Sequence, residues 1–555
     1  MYNRKRAALA VGLVSALSSK AIAQTDTQAQ TPTPPTQTQI QTPPPPEVTI
    51  RTVVTPKEDT RRPVVELLSL RIMREKGIIT EAEYRAAREE VGANVGGDVA
   101  DEGLNFVVGK WSATLYGFVE GDFIGDSTQS FNDLAGNAQV QRPIGAPPPA
   151  GGAVSQYAGN NPRVQFSIRN SRFGLRLRAP EISKVRASAT LEMDFLGTDP
   201  TPSDGGSSSA TDATYFNNPT LRVRHAYLKV ETPIVDFLIG QYWHMFGWQG
   251  AYFVPSVEIQ GLPGQLYERT AQLRLSHRFR LGDTSLELAG AALRPPTRDG
   301  GVPDFAGGIR FAFDKWRGTQ TMGATATQTA PASIAITGDL REFRVPVFEP
   351  FPTQTVELTT GAIAVDAFIP IIPATHHHRG NTLSISGEFA YGGGISDMYT
   401  GLTGGITFPT LVNTTGLNPA PAYPQNVDNG MVILDNNPPS GPGTNGLHAI
   451  VWQTAIAGLQ YYLPGGYVWI AGNYAHTESP NIAQFTQTTA PNALNSNYAQ
   501  AAAVRKSEDW FDANVFFDPL PSVRIGLEYA CFIDQYVDGQ TATNHRVQVS
   551  GFFLF

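Results

Sequence analysis

Cysteine is almost absent from the sequence, because Cys531 is the single cysteine among 555 residues. One thiol cannot form an internal disulfide, so the chain is not a disulfide-stabilised scaffold. Long apolar runs are also missing, since no segment after the N-terminal region offers eighteen uninterrupted apolar residues. A helix that crosses a bilayer needs about 20 such residues, so the sequence predicts no helical membrane span.

Signatures of catalysis and of cofactor binding are missing as well. The motifs G-x-S-x-G and H-E-x-x-H do not occur, and no glycine-rich stretch opens a helix after a strand. His225, Ser276 and His277 form no nucleophile, base and acid set. The run His376–His378 lacks a neighbouring Cys, Asp or Glu cluster, and adjacent histidines of a turn point in different directions. We therefore expect no enzyme activity, no cofactor and no metal site.

The N-terminus has the organisation of a secretory signal peptide, residues 1–23. Basic residues at 4–6 precede a short apolar run, and Ala-Ile-Ala at 21–23 provides an A-x-A cleavage site. An uncleaved anchor is the alternative. Cleavage removes four basic residues and no acidic one, which changes the formal charge from −8 to −12. An acidic exported protein is a poor partner for polyanions, so we expect no nucleic-acid binding.

Two further segments precede the main domain. Residues 24–62 are rich in Pro, Thr and Gln, which predicts a disordered, partly polyproline spacer. Residues 63–92 combine helix-like apolar spacings, a Lys76-Gly77 stop and a capping box of Thr80 and Glu83. We predict a short helical hairpin here, acting either as a spacer or as a docking or oligomerisation module.

From Trp111 onward the pattern has the two-residue period of β-strands. In VRASATLEMDFLG, apolar and polar residues alternate over about the thickness of a bilayer. A soluble β-sandwich would also alternate, so the connection lengths decide between the two folds. Short connections near 181, 232, 282, 464 and 519 alternate with long ones near 125–162, 197–218, 243–265, 392–447 and 477–505. Transmembrane barrels have this asymmetry, whereas sandwiches do not.

The sequence therefore predicts an all-β fold, a transmembrane antiparallel β-barrel of about sixteen strands over residues 111–555. The expected strands lie near 113–124, 164–179, 184–196, 219–231, 234–242, 266–280, 283–293, 305–313, 331–345, 360–370, 380–391, 448–462, 466–476, 507–517, 522–534 and 544–555. The least regular stretch is 314–380, where we expect an unusually long periplasmic turn near 314–330. An even strand number places both barrel ends, and the N-terminal segment, in the periplasm.

The C-terminal strand HRVQVSGFFLF ends on Phe555. This strand is expected to pair with the first one, because an open edge in lipid leaves backbone groups without hydrogen bonds. A last strand that ends on Phe resembles the signal by which the barrel assembly machinery recognises outer-membrane barrels. The resemblance implies that machinery as a partner through Phe555. An outer-membrane location also makes outer-membrane lipid and lipopolysaccharide expected partners.

Arginines alternate with apolar residues on the second, fourth and sixth expected strands. Arginine on the lipid-facing side costs about 2–4 kcal/mol at the bilayer midplane, so these side chains should face the lumen. They form an anion-attracting wall or, alternatively, structural ion pairs with Glu120, Asp122, Glu192 and Asp194. If Arg163 and Arg169 also point inward, a bulge is needed near Asn170-Ser171. The predicted pore-lining, anion-binding residues are Arg172, Arg176, Arg178, Arg222, Arg224, Arg274 and Arg278.

The third long connection, residues 243–265, is rich in aromatic residues and glycine. It is too apolar to extend into water, so we expect it to fold into the barrel or to pack on a neighbour. Trp243, Trp248 and Glu258 are its candidate constriction residues.

Several motifs together resemble the DcaP-type outer-membrane porins. They are GFVEGDF on the first strand, NSRFGLRLR, LRVRHAYLKV followed by GQYWHMFGW, and the final Phe555. The resemblance covers roughly residues 111–555 and implies a homotrimeric sixteen-stranded channel for small, often anionic solutes. Family members carry a coiled-coil-like periplasmic extension, whereas the spacer here is Pro/Thr-rich and the helical hairpin is short.

The predicted function is passive diffusion of small hydrophilic, anionic solutes through an arginine-lined lumen of the bacterial outer membrane. The alternative is a structural or adhesive barrel whose long loops act outside the cell. The two differ in the lumen, because a pore needs a continuous water path and an adhesive barrel does not.

Overall fold

The computed structural model describes the following parts of the chain: residues 104–108, 110–128, 161–197, 220–296, 300–346, 354–374, 379–400, 431–435, 446–487, 499–500, 505–537 and 539–555. The expected signal peptide, spacer and helical hairpin lie outside these residues, and so do His376–His378 and most of the long connections.

Sixteen antiparallel strands form one closed barrel. Their bounds are β1 Trp111–Asp126, β2 Arg163–Ser167 and Arg172–Arg178, β3 Arg186–Asp194, β4 Arg222–Glu231, β5 Asp236–Trp243, β6 Arg269–Leu281, β7 Thr284–Leu293, β8 Asp304–Met322, β9 Ala326–Pro346, β10 Thr355–Ile372, β11 Thr382–Gly393, β12 Val451–Tyr462, β13 Val468–Glu478, β14 Arg505–Leu520, β15 Val523–Tyr536 and β16 Thr541–Leu554. Each strand pairs with its neighbours in sequence, and β16 pairs with β1.

The remaining elements are short. Strand segments outside the barrel order are Leu104–Val108, which pairs with the start of β1, Val432–Asp435, Gly446–Ala449, Thr486–Gln487 and Ala499–Gln500. Three 3₁₀ turns occur at Phe246–Trp248, Ser396–Met398 and Ile482–Phe485. In the described part of the chain, no helix is long and apolar enough to cross a membrane.

The strands form because their two faces meet different surroundings. On β1 and β16, Val119, Phe123 and Val549 point outward and are exposed, whereas Asp122 and Arg546 point inward and are buried. The same apolar, outward-facing pattern continues around the barrel, as a lipid-facing surface requires. Backbone N–H and C=O groups form hydrogen bonds between strands along the closed sheet, as they must where lipid offers them no other partner.

Barrel closure involves the last residue directly. The Phe555 amide donates to the Gly117 carbonyl at 3.0 Å, and the Gly117 amide donates to the Phe555 carbonyl at 2.8 Å. Further along the same seam, Arg546 forms a buried two-pronged ion pair with Asp126, with N–O distances of 2.8 and 3.0 Å. The predicted pairing of the first and last strands is confirmed.

The sixteen predicted strands all occur, and the fold class is confirmed. Residues 168–171 interrupt β2 where the change of parity required a bulge, and Arg169 is buried. The predicted long turn near 314–330 is wrong, because β8 and β9 continue as a hairpin to a turn at residues 323–325. The Thr, Gln and Ala residues of this hairpin show no apolar alternation, because neither face of the hairpin meets lipid.

Candidate functional site: the lumen and its third loop

The connection between β5 and β6, residues 244–268, lies inside the barrel and is called the third loop below. Its apolar side chains pack against several parts of the inner wall. Met245, Trp248 and Tyr252 contact residues of β7–β10, and Phe246 and Leu266 contact β10–β12. Val254 and Leu262 pack on β12–β16, and Val257 and Ile259 pack on β1, β12–β14 and β16. The third loop therefore crosses the lumen and packs on strands around most of the barrel circumference.

Hydrogen bonds from inward-facing side chains fix the backbone of the third loop. The Gly247 amide donates to Thr337 Oγ1 at 2.8 Å, and the Leu266 amide donates to Glu388 Oε1 at 3.0 Å. The Val257 amide donates to Glu528 Oε2 at 2.9 Å, on the other side of the barrel. These contacts satisfy buried backbone groups that an irregular loop cannot pair by itself.

Arg222 and Arg224 on β4 contact the third loop at Gln260 and are themselves held by carboxylates of β3. Arg224 is fully buried and donates to Glu192 Oε1 at 2.8 Å and to Asp194 Oδ2 at 3.0 Å. It also contacts the loop through Tyr267 Oη at 3.1 Å. Arg222 pairs with both oxygens of Asp194, at 3.0 and 2.6 Å.

A bulge explains why Arg224 joins this network. Glu192 lies opposite His225 and Met193 lies opposite Val223, so Arg224 is the extra residue between them. The positive charges of both β4 arginines are therefore matched by carboxylates, which was the alternative interpretation of the arginine wall.

The other predicted lumen arginines have varied surroundings. Arg172 lies 3.7 Å from Glu192 and over the Phe118 ring, and Arg176 lies over the Tyr116 ring. Arg274 donates to the Trp243 carbonyl at 2.5 Å, and Arg278 forms an exposed pair with Glu287 at 2.8 Å. Arg178 is half-buried at an inward-facing position of β2.

The three predicted loop residues are buried supports. Trp243 packs edge-on against Phe253 and Tyr267, with ring centroids 4.9 and 4.8 Å apart. Trp248 belongs to the 3₁₀ turn and packs on the wall. Glu258 is fully buried, and burial, reinforced by the Asp122 and Glu528 carboxylates, raises its pKa well above the ordinary value.

The inner wall is not uniformly covered. Inward-facing side chains of β11–β16 are almost all buried beneath the third loop and neighbouring structure. Along β2–β8, by contrast, many inward-facing charged side chains are half-buried or exposed, and this surface is called the basic arc. Its basic residues are Arg163, Arg172, Arg176, Arg178, Arg186, Arg222, Lys229, Arg274, Arg278, Arg280 and Arg310; its acidic residues are Glu231, Asp236, Glu287 and Asp314.

Five residues of the basic arc lie outside the predicted pore-lining set, namely Arg163, Arg186, Lys229, Arg280 and Arg310. Arg310 lies in the alternating stretch GGIRFAF, which has the same arginine and apolar pattern as β6. That pattern was a usable signal, but it falls next to the stretch whose strand assignment was least regular. In the described residues, no group of three or more His, Cys, Asp or Glu side chains is arranged to hold a metal ion.

The fold and the lumen define this protein as a sixteen-stranded transmembrane β-barrel with a loop folded inside it. No protein-family profile matches the sequence, and no curated protein matches it either. Among solved structures, the outer membrane channel DcaP of Acinetobacter baumannii is similar, with a TM-score of 0.51 and 16% identity over 83% of this chain and 100% of that chain. An anion-selective porin from Comamonas acidovorans (TM-score 0.41, 10% identity, 80% of this chain and 100% of that one) and OprB of Pseudomonas putida (0.42, 9%, 80% and 94%) are more distant. The DcaP likeness supports the barrel fold.

Proposed function

We propose that the protein is an outer-membrane channel for passive diffusion of small hydrophilic anions, and that the solute path follows the basic arc. The observation that carries this proposal is the uneven covering of the inner wall. The third loop packs on most of the circumference, whereas the basic arc retains water-accessible charged side chains, most of them basic. Water beside fixed guanidinium groups is a favourable path for carboxylate-bearing solutes.

The predicted site residues take two roles in this proposal. Arg176, Arg178, Arg274 and Arg278 line the path, together with Arg280 and Arg310. Arg222 and Arg224 pair with Asp194 and Glu192 and hold the third loop at Gln260. Arg172 lies between both groups. Trp243, Trp248 and Glu258 keep the loop in place, so that it narrows the lumen to the side of the basic arc.

The assembly and location follow the same proposal. The apolar outer surface is suited to lipid, and the short turns would face the periplasm while the long connections would face the outside and lipopolysaccharide. The barrel assembly machinery would recognise the last strand through Phe555. A homotrimer is proposed, with the N-terminal segment in the periplasm.

The test is the zero-current potential of purified protein in a planar bilayer across a KCl gradient. We expect ohmic steps and a potential of the sign for chloride permeation. The double variant Arg176→Gln/Arg310→Gln removes two charges of the basic arc and should reduce that potential. The control is Lys506→Gln, which removes a positive charge from an exposed position of β14 away from the arc; it should leave the potential unchanged.

Three results would contradict the proposal at different levels. A wild-type potential that favours potassium would keep the channel and overturn its anion preference. An unchanged potential in the double variant would remove the selective role of the basic arc. Absence of current from protein shown to be folded would favour the structural or adhesive barrel.

A further inference from the structure

The ends of β8 and β9 leave the barrel wall and form a second structure inside the lumen, called the inner hairpin (residues 317–331). β8 pairs with β7 as far as Phe313, and β9 pairs with β10 from Ser333 onward. Beyond these points β8 and β9 pair with each other up to Met322 and Ala326, and the Ala374 amide donates to the Arg317 carbonyl at 2.9 Å at the base of the hairpin. The register shifts between Phe313 and Arg317, and such an irregularity redirects a strand.

Hydrogen bonds place the inner hairpin against inward-facing residues of β11 and β12. The Thr321 amide donates to Gln460 Oε1 at 3.0 Å, and Thr321 Oγ1 lies 2.6 Å from Tyr462 Oη. Ser384 Oγ donates to the Thr319 carbonyl at 2.8 Å. Residues 318–321 are buried in succession, so both faces of this strand segment are covered. The hairpin is therefore inside the barrel.

The tip of the inner hairpin reaches the far wall. Ala324 is fully buried and packs in a cluster with Ile259, Trp469 and Phe516. Arg524 of β15 donates hydrogen bonds to the carbonyls of Ala324 and Thr325. Asp518 holds the same guanidinium at 2.7 and 2.9 Å, and the Trp469 ring lies under it at 5.1 Å. A charged side chain that is itself paired and stacked thus holds the turn in place.

The inner hairpin also touches the third loop from the short-turn side. Gln320 Nε2 donates to the Ala251 carbonyl at 2.8 Å. A Cβ atom at Gly323 would lie 3.8 Å from Cβ of Ile259. The two insertions, one from each end of the barrel, meet inside it.

We propose that the inner hairpin is a second constriction element, which closes the lumen beneath the third loop and confines solutes to the basic arc. This inference rests on the proposed channel function and adds a determinant of size and selectivity to it. A hairpin that fills the lumen near β11–β15 removes water paths distant from the arginines. Passing ions then stay within a Debye length, about 8–10 Å, of the fixed positive charges.

The direct test removes the inner hairpin together with residues 314–316, whose wall contacts include a hydrogen bond from the Trp316 indole N–H to the Pro370 carbonyl at 2.8 Å. Phe313 and Ala332 are cross-strand partners, so replacing residues 314–331 by Asn-Gly joins them through a two-residue turn. We expect single-channel conductance to rise by about twofold or more, with a smaller chloride-selective potential, because the open section widens away from the arginines. The deleted segment contains Asp314, Lys315 and Arg317 and carries one net positive charge. Lys315→Gln removes the same net charge without shortening the chain and is the matched control, with wild-type conductance expected.

A second test measures the position of the hairpin independently of current. In a Cys531→Ser background, Ile259→Cys with Gly323→Cys should form a disulfide under mild oxidation, because a Cβ separation of about 3.5–4.5 Å suits one. Gly282 is the control position: it has a similar positive φ, 68° against 59°, in another short turn, and a Cβ there meets nothing within 4 Å. Ile259→Cys with Gly282→Cys should stay reduced.

The outcomes separate this inference from the proposed function. A conducting wild type with an unchanged shortened variant would overturn the constriction role and leave the channel. Two thiols that stay reduced in folded Ile259→Cys/Gly323→Cys protein would overturn the placement of the hairpin. A silent wild type with a conducting shortened variant would support the hairpin as a closure and refute the open channel. If both were silent, both proposals would fail.

Discussion

Single residues in the lumen carry charge for two different purposes. The buried guanidinium of Arg224 sits among Glu192, Asp194 and Tyr267, whereas Arg176 lies over a tyrosine ring beside water. A buried charge needs partners to offset its lost hydration, and an accessible one keeps its water. Position in the lumen therefore decides whether an arginine holds the structure or faces the solute.

Glu258 makes the third loop sensitive to pH. Its carboxyl is buried next to Glu120, Asp122 and Glu528, with Arg546 as the opposing charge, and its pKa is raised well above the ordinary value of about 4.3. Between the ordinary and the raised pKa, the folded protein thus binds a proton that the unfolded chain releases. The contribution of Glu258 to the free energy of unfolding is therefore complete below the ordinary pKa. It is lost as the pH rises through the raised pKa.

We therefore expect the urea midpoint in detergent to fall as the pH rises above the ordinary glutamate pKa, and Glu258→Gln to reduce that fall. Glu231→Gln, at a half-exposed position of β4, should retain the wild-type pH dependence. Equal slopes in wild type and Glu258→Gln would show that this carboxyl is not the titrating group.

At the scale of elements, the third loop depends on small residues in the wall. Gly458 on β12 and Gly526 on β15 lie against Val254 and Val257, where added Cβ atoms would approach the valine side chains to 2.6 and 2.8 Å. Alanines line the clusters in which other parts of the loop and Val254 pack, namely Ala364, Ala390, Ala475 and Ala542. Small side chains face inward where the loop packs, and this leaves room for a second layer of side chains inside the barrel.

Gly458→Val should therefore displace the third loop near Val254. Overpacking of this kind costs about 1–3 kcal/mol, so we expect a lower urea midpoint and faster protease cleavage within residues 244–268. Gly551→Val is the control, because a Cβ on this outward-facing residue meets nothing within 4 Å. Equal cleavage rates in the two variants would argue against loop packing at Gly458.

At the largest scale, the described barrel is held together by closure of its sheet. β16 pairs with β1 from Leu554 opposite Phe118 to Arg546 opposite Asp126, so the seam joins residues from the two ends of the barrel sequence. The Arg546–Asp126 pair is fully buried, and Asn544 adds a hydrogen bond to Asp126 at 2.8 Å.

Asp126→Ala should destabilise the barrel by about 3–5 kcal/mol, because it leaves a buried guanidinium without its carboxylate. Urea titration of the folded fraction measures this change. The comparison is Glu231→Ala, which breaks the more exposed Arg186–Glu231 contact at 3.5 Å and should cost about 1 kcal/mol or less. Similar losses in the two variants would mean that the seam pair adds nothing beyond a surface pair.

The amino-acid sequence by itself determined the strands, their number and their order around the barrel. Period-two alternation in β3 and β6 and the alternation of short and long connections are local, and lipid on one side enforces them along each strand. The tertiary structure alone decided what fills the lumen. The pairing of Arg222 and Arg224, the path of the third loop and the inward turn of residues 317–331 depend on side chains from distant strands. Their polar and small residues carry no lipid-facing alternation, so only the closed barrel brings their partners within contact.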